Sequence, residues 1–203
     1  KSLANTKTLR LIKVMNTSRQ LFLLIAFVIP LNFFAQNDLK YGDTEDKQIL
    51  CKEALSVYKS YKTQKNYSEA YVQWEKACAV CPPQVQESLY TNGSTFIKSE
   101  IKEAKAEGDL ERQAVLVDSL MWVYDMRMEL FPSTKKKPNN RCHILGRKAS
   151  DYYSFNKDSV QVAFEMFKES VDCLGANSSA SVLSGYYVTS FYAMKNVNKI
   201  DKE

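Results

Sequence analysis

The sequence predicts an all-α protein: an α-solenoid of stacked antiparallel helical hairpins, with about three hairpin units and the first helix of a fourth. One observation is a pattern of a small apolar residue, a large aromatic and a helix-stopping Pro or Gly that recurs at identical offsets. A second is that each occurrence follows a segment with apolar residues at helical spacing. Composition is the third, since 45% hydrophobic and 25% charged residues in 203 suit a folded core.

The recurring pattern occupies the second helix of each unit. The aromatic follows the small residue by four positions, one helical turn along the same face, and precedes the Pro or Gly by eight. The three occurrences are Ala70, Trp74, Ala77 and Pro82; Leu120, Tyr124, Arg127 and Pro132; and Ala163, Phe167, Ser170 and Gly175.

The segment before each pattern supplies the first helix of the unit. In the first unit, residues 53–61 place Ala54, Val57, Tyr58 and Tyr61 on one stripe, and residues 65–68 form a break. Neither short helix can bury its apolar face alone, so each hairpin is expected to stack on a neighbour. The predicted repeat domain covers residues 49–203, with units at 49–83, 84–133, 139–175 and a truncated unit at 178–203.

At these positions the sequence resembles the tetratricopeptide repeat family. Tyr61, Ala70, Trp74, Ala77 and Pro82 match five places of its roughly 34-residue unit, although Ala54 and Tyr58 depart from it. The later units match through Leu89, Gly93, Phe96, Tyr124 and Pro132, with longer helices between residues 97 and 113, and through Leu145, Gly146, Ala163 and Phe167. The resemblance implies protein-protein interaction by analogy of fold.

The carboxyl-terminal segment continues the pattern. Residues 180–194 are predicted to form another first helix, followed by a break at 196–202. An open stack with an uncapped apolar end is expected to associate, so the chain is interpreted as the amino-terminal piece of a longer array.

The first 35 residues have the layout of a secretory leader. Residues 1–14 are interpreted as lying upstream of the true start, and residues 15–35 as a signal peptide with a basic region followed by an apolar stretch. Cleavage after Ala35 would leave a linker at 36–48, although Phe33 departs from the usual small residue. The protein is therefore expected in the periplasm or cell envelope. A signal anchor in the inner membrane is the alternative, and membrane contact is expected only through such an uncleaved leader.

The net charge of +5 does not indicate a nucleic-acid partner. Five of the 28 basic residues lie before Gln36, where there is no acidic residue, so 23 basic residues remain against 23 acidic ones. The excess therefore belongs to the leader, and the repeat domain has no basic surplus.

Five cysteines suggest disulfides in an exported chain. In an antiparallel hairpin the start of the first helix lies beside the end of the second, which predicts Cys51–Cys81 and Cys142–Cys173 and leaves Cys78 unpaired. The Cys78–Cys81 spacing also occurs in redox, haem and zinc motifs. Here it closes a helix before Pro82, lacks the adjacent His of a haem motif and has no second zinc ligand pair, so a structural role is favoured.

No catalytic, cofactor or metal site is predicted, and the chain is not expected to be an enzyme. The single histidine, His143, is adjacent to Cys142, but consecutive side chains on a helix diverge by about 100°. The carboxylates of residues 100–111 alternate with basic residues as on a solvated helix face. The lysines at 135–137 are interpreted as a solvated loop, with docking of an anionic partner as the alternative.

The sequence leaves two scaffold functions open. The first is an exported protein that holds a peptide, a helix or another subunit, with exposed tyrosines as anchors. Two pairs of tyrosines are adjacent in the sequence, and one side chain of each pair is expected to be exposed. The candidate anchors are therefore Tyr152, Tyr153, Tyr186 and Tyr187. Contact of these side chains with an adjoining repeat is the alternative. The second is a structural adaptor within a larger envelope complex, whose specific activity lies in a carboxyl-terminal part.

Overall fold

A computed structural model describes residues 40–200, with side chains to residue 195, and the predicted upstream residues, signal peptide and first part of the linker lie outside this range. The described part is an all-helical repeat solenoid without strands. Its helices are α1 (Glu45–Thr63), α2 (Tyr67–Val80), α3 (Glu87–Glu107), α4 (Leu110–Leu130), α5 (Asn140–Phe155), α6 (Val160–Leu174) and α7 (Ala180–Ile200), with a 3₁₀ turn at Gly175–Asn177.

Consecutive helices pair into three hairpins, α1–α2, α3–α4 and α5–α6, and α7 packs against α6 and α5. The second hairpin is the longest, with 21 residues in each helix, which is the lengthening that its repeat register requires. Gly108 ends α3 in the left-handed conformation (φ 75°), and the Asp109 side chain then accepts a hydrogen bond from the Arg112 amide at 2.9 Å. Two residues thereby reverse the chain.

Both ends of the helical region differ from the predicted boundaries. Helix α1 begins at Glu45, inside the predicted linker, because the Thr44 hydroxyl caps it by accepting from the Lys47 amide at 3.4 Å. Helix α7 continues to Ile200, through most of the predicted break at 196–202. Asn and Lys cost less than about 0.7 kcal/mol each in a helix relative to Ala, so they do not end one by themselves. None of the helices within residues 40–200 is long and apolar enough to cross a membrane.

Aromatic side chains of the second helices lie directly on glycines of the next first helix. The Trp74 ring packs over Gly93, where an added Cβ would lie 2.3 Å from the ring, and its Nε1 donates to the Leu89 carbonyl at 2.8 Å. The Phe167 ring lies on Gly185 in the same way, again with 2.3 Å to an added Cβ. The stack therefore requires residues without a side chain at these two positions.

The remaining repeat-core positions follow the same plan. Ala70, Trp74, Ala77, Tyr124, Ala163 and Phe167 are buried, and Tyr61 packs at the edge of the core. Pro82 and Pro132 lie just beyond the ends of α2 and α4, where a proline cannot disturb the helix.

Both predicted disulfides are present. Cys51 is bonded to Cys81, and Cys142 to Cys173, with Cα–Cα distances of 4.8 and 6.2 Å. Each bond closes the end of a hairpin opposite its turn. Sequence separations of 30 and 31 residues correspond to about 3–4 kcal/mol of stabilisation per bond in the chain-entropy model.

We expect Gly93→Ala to lower the free energy of unfolding by about 1–3 kcal/mol, because the new methyl group overlaps the Trp74 ring and outweighs the gain in helix propensity. Chemical denaturation measures the change. Thr95→Ala, at an exposed site on the same helix, should alter stability by less than about 0.5 kcal/mol. In the background of Trp74→Leu, Gly93→Ala should cost at least about 1 kcal/mol less. An equal cost in both backgrounds would show that the ring does not set the requirement for glycine.

Candidate functional site

The candidate site is a cleft where the first helices α3, α5 and α7 approach one another. Its volume is about 300 Å³, at the lower end of the range for small-ligand pockets, so it suits one or two side chains of a partner. Helices α3, α4 and α5 contribute residues that recur at spacings of three or four positions, as on one face of a helix, and α7 contributes two consecutive residues. The lining residues are Thr91, Ser94, Thr95 and Lys98 of α3, Tyr124 and Arg127 of α4, Arg147, Ser150 and Asp151 of α5, and Ser181 and Val182 of α7.

Tyr124, Asp151 and Lys98 form a hydrogen-bonded group in the cleft. The Tyr124 hydroxyl donates to Asp151 Oδ2 at 2.6 Å, and Lys98 Nζ lies 3.0 Å from the same oxygen. Burial, followed by the neighbouring Asp151 carboxylate, raises the pKa of Tyr124 above its ordinary value. The phenol therefore remains protonated at neutral pH and acts as a donor that ties α4 to α5.

Arg127 reaches the same cleft from α4 and is held by Glu87 of α3. The Arg127 Nε and Nη2 atoms donate to Glu87 Oε1 at 3.0 and 2.8 Å, and Lys137 pairs with the other carboxylate oxygen. Burial raises the pKa of Glu87, but the hydrogen bonds from Lys137 and Arg127 outweigh it, so the net pKa is lowered. This ion pair joins α3 to α4 near the open end of the second hairpin, where the other two hairpins have disulfides.

A second cavity of about 340 Å³ adjoins the cleft and shares Arg127 and Arg147 with it. Lys137 and the exposed His143 also line it. Arg127 and Lys137 share the single carboxylate of Glu87, whereas Arg147 is exposed and forms neither an ion pair nor a hydrogen bond within the described residues. The combined site therefore has a surplus of positive charge, which favours an anionic group of a partner.

Three of the four candidate tyrosines pack against the core and are only partly exposed. Tyr152, Tyr153 and Tyr186 are half-buried against the core of the third unit, and Tyr186 stacks on Phe164 with ring centroids 5.6 Å apart. In the 152/153 pair both rings are half-buried against the cluster that contains Ala149, so neither side chain is fully exposed. Tyr187 is 73% exposed and stays a candidate anchor.

The acidic segment 100–111 is not uniformly solvated. Glu100 is buried, and its Oε2 accepts from Arg112 Nη2 at 2.6 Å, while its Oε1 has no hydrogen-bond partner in the part of the chain that the structure describes. Arg112 also bonds Glu107 at 2.9 Å, so these charges join the end of α3 to the start of α4. A helical charge pattern in the sequence does not distinguish this buried carboxylate from its exposed neighbours.

Cys78 is the free cysteine of the described part and is half-buried. Burial raises the pKa of its thiol to about 12, with a smaller contribution from Glu75, so the thiol is protonated at neutral pH and a weak nucleophile. Within the described residues, no three His, Cys, Asp or Glu side chains are grouped so that they could hold a metal ion.

The sequence reasoning missed the Glu87–Arg127 pair and Arg147. One signal was available for the pair: Arg127 occupies the repeat position that is Ala77 in the first unit and Ser170 in the third, both buried. A charged residue at a buried repeat position requires a partner. No comparable signal marks Arg147, since its significance depends on the helices that surround it.

We expect Glu87→Gln to lower the free energy of unfolding by about 1–2 kcal/mol at pH 7, because hydrogen bonds to a charged group are replaced by neutral ones. The folded-state pKa of Glu87 lies below its unfolded value of about 4.3, so its contribution is present above that pH and is lost as the pH falls through the folded-state pKa. Urea denaturation from pH 7 to pH 3 should show the two proteins converging in stability. Glu129→Gln, at an exposed site, should have no such effect. A difference that stays constant with pH would contradict this role of the carboxylate.

Comparison with known proteins does not assign a family or a function to this site. No protein-family model matches the chain, and no curated protein matches it significantly.

Proposed function

We propose that this chain is an exported scaffold of the tetratricopeptide type, which holds a protein partner by a peptide segment in the cleft between α3, α5 and α7. Stacked hairpins support the assignment, because they offer extended surfaces for peptides and helices. Two disulfides support export, since such bonds persist in oxidising compartments such as the periplasm. Localisation in the periplasm or envelope follows from this and from the predicted leader.

The observation that carries the proposal is Arg147, which lies at the junction of the two cavities and has no ion-pair partner within residues 40–195. Its neighbours Lys98 and Arg127 are each paired with a carboxylate, which holds their positions. A free guanidinium beside preorganised polar groups is suited to a carboxylate through two parallel hydrogen bonds. The partner segment is therefore an acidic peptide, with its carboxylate at Arg147 and polar contacts to residues such as Thr95 and Ser150.

A second function, the structural adaptor within a larger envelope complex, has its own supporting observation. Helix α7 exposes large apolar side chains on one face, including Tyr187 and Phe191. An exposed apolar face of this kind is more often a contact surface for another protein than a surface that stays in solvent. The two functions use different surfaces and are compatible in one molecule.

Two labelled peptides of equal length and apolar content test the peptide-binding function. One carries three acidic residues, and the other has Asn and Gln in their place. By fluorescence anisotropy, the acidic peptide should bind at least about tenfold more tightly, a difference of about 1.4 kcal/mol, and its affinity should fall as salt is raised.

Arg147→Glu should weaken binding of the acidic peptide at least about tenfold, because attraction becomes repulsion. Lys76→Glu is the matched control, since Lys76 is an exposed base on α2, away from the cleft. Equal affinity for both peptides, or equal losses for the two variants, would contradict binding at the cleft.

A further inference from the structure

Helix α7 presents an apolar stripe that no described residue covers. Leu183, Tyr187 and Met194 are 42%, 73% and 61% exposed and recur at spacings of four and seven residues. This spacing places them on one face of the helix. Another face of α7 is buried: it contains Val182, Thr189 and Ala193, and the helix as a whole packs on α5 and α6 of the preceding unit.

Helix α3 shows which face of a first helix receives its second helix. Leu89 and Gly93 contact the preceding unit, through the Trp74 hydrogen bond and the Trp74 ring. The residues that follow them face the other side of α3. Tyr90 packs on Phe131 at the end of α4, with ring centroids 5.8 Å apart, and Ser94 lines the cleft together with Tyr124 of α4. One residue corresponds to a rotation of about 100°.

Helix α5 follows the same rule. Lys148 and Asp151 reach back to α4, where they bond Asp125 and Tyr124. The next residues along the chain, Ala149 and Tyr152, pack in the core that is shared with Ala163 and Phe167 of α6. In both helices, therefore, the face for the second helix lies one residue after the face for the preceding unit.

Applied to α7, the rule identifies the exposed stripe as the face for a second helix. Val182 lies against Gly146 of α5, and Tyr186 stacks on Phe164 of α6, so these residues mark the face towards the preceding unit. The residues one position later are Leu183 and Tyr187, and Met194 likewise follows the buried Ala193. The stripe is thus continuous with the interface that joins α7 to the stack.

We propose that this stripe binds an amphipathic helix that runs antiparallel to α7 and completes a fourth hairpin. Its apolar face carries a small residue four positions before an aromatic, as Ala70 and Trp74 do in α2 and Ala163 and Phe167 do in α6. A small residue allows close approach of the two helices, and the aromatic fills the space next to it. This surface is distinct from the cleft, and the inference does not depend on the peptide-binding function.

A peptide with the sequence of residues 160–174, carrying Ser in place of Cys173, is the probe. It has the apolar pattern of a second helix, and a version with Phe167→Asp is its control. Fluorescence anisotropy with the purified, oxidised chain should show saturable binding of the first peptide and at least tenfold weaker binding of the second. A photo-crosslinker at the peptide's amino terminus should label the chain near Met194 rather than near Leu183, because the pairing is antiparallel.

The matched pair of variants is Tyr187→Asp and Trp122→Asp, which change large exposed aromatics on α7 and α4. Both should keep the circular dichroism and unfolding midpoint of the parent chain. Tyr187→Asp should weaken peptide binding at least tenfold, whereas Trp122→Asp and the cleft variant Arg147→Glu should leave it unchanged. Equal binding by both aromatic variants, absence of saturable binding, or labelling near Leu183 would overturn the proposal. So would a concentration-dependent dimer that Tyr187→Asp abolishes, since a second copy would then cover the stripe.

Discussion

The close approach of an aromatic ring to a glycine between successive hairpins is the contact on which the stack depends. Trp74 on Gly93 and Phe167 on Gly185 bring a second helix nearer to the next first helix than any side chain at the glycine would allow. The Trp74 indole also donates to a backbone carbonyl of α3, so it fixes distance and rotation together. The orientation of every later helix, and of the cleft between them, follows from these junctions.

The second junction is different, and the difference produces the site. Tyr124 stands at the repeat position of Trp74 and Phe167, but its hydroxyl reaches Asp151 of the next hairpin. Arg127 likewise replaces a small buried residue and requires Glu87 as its partner, since an unpaired buried charge is costly. The repeat thus keeps its helical geometry while it exchanges apolar packing for a polar network. The candidate site is thus built from substitutions at core positions rather than from an added loop.

The open ends of the three hairpins are held together by different kinds of bond. Disulfides close the first and third hairpins, and the Glu87–Arg127 pair occupies the corresponding place in the second. A disulfide at that place would replace Arg127, which lines the cleft, and its partner Glu87. The chain therefore retains a pH-sensitive ion pair in the hairpin that contributes most to the candidate site.

The sequence by itself determined the all-helical repeat, and it suggested the two cysteine pairs while leaving their connectivity open. Apolar spacing, helix-stopping residues and helix-end cysteines are local signals whose meaning depends only on helical geometry. Only the tertiary structure decided that Tyr152 and Tyr186 are packed while Tyr187 is exposed, that Glu100 is buried, and that Arg147 has no ion-pair partner among the described residues. These properties depend on which helices surround a residue and at what rotation, and a position in a repeat does not specify its neighbours in the next unit.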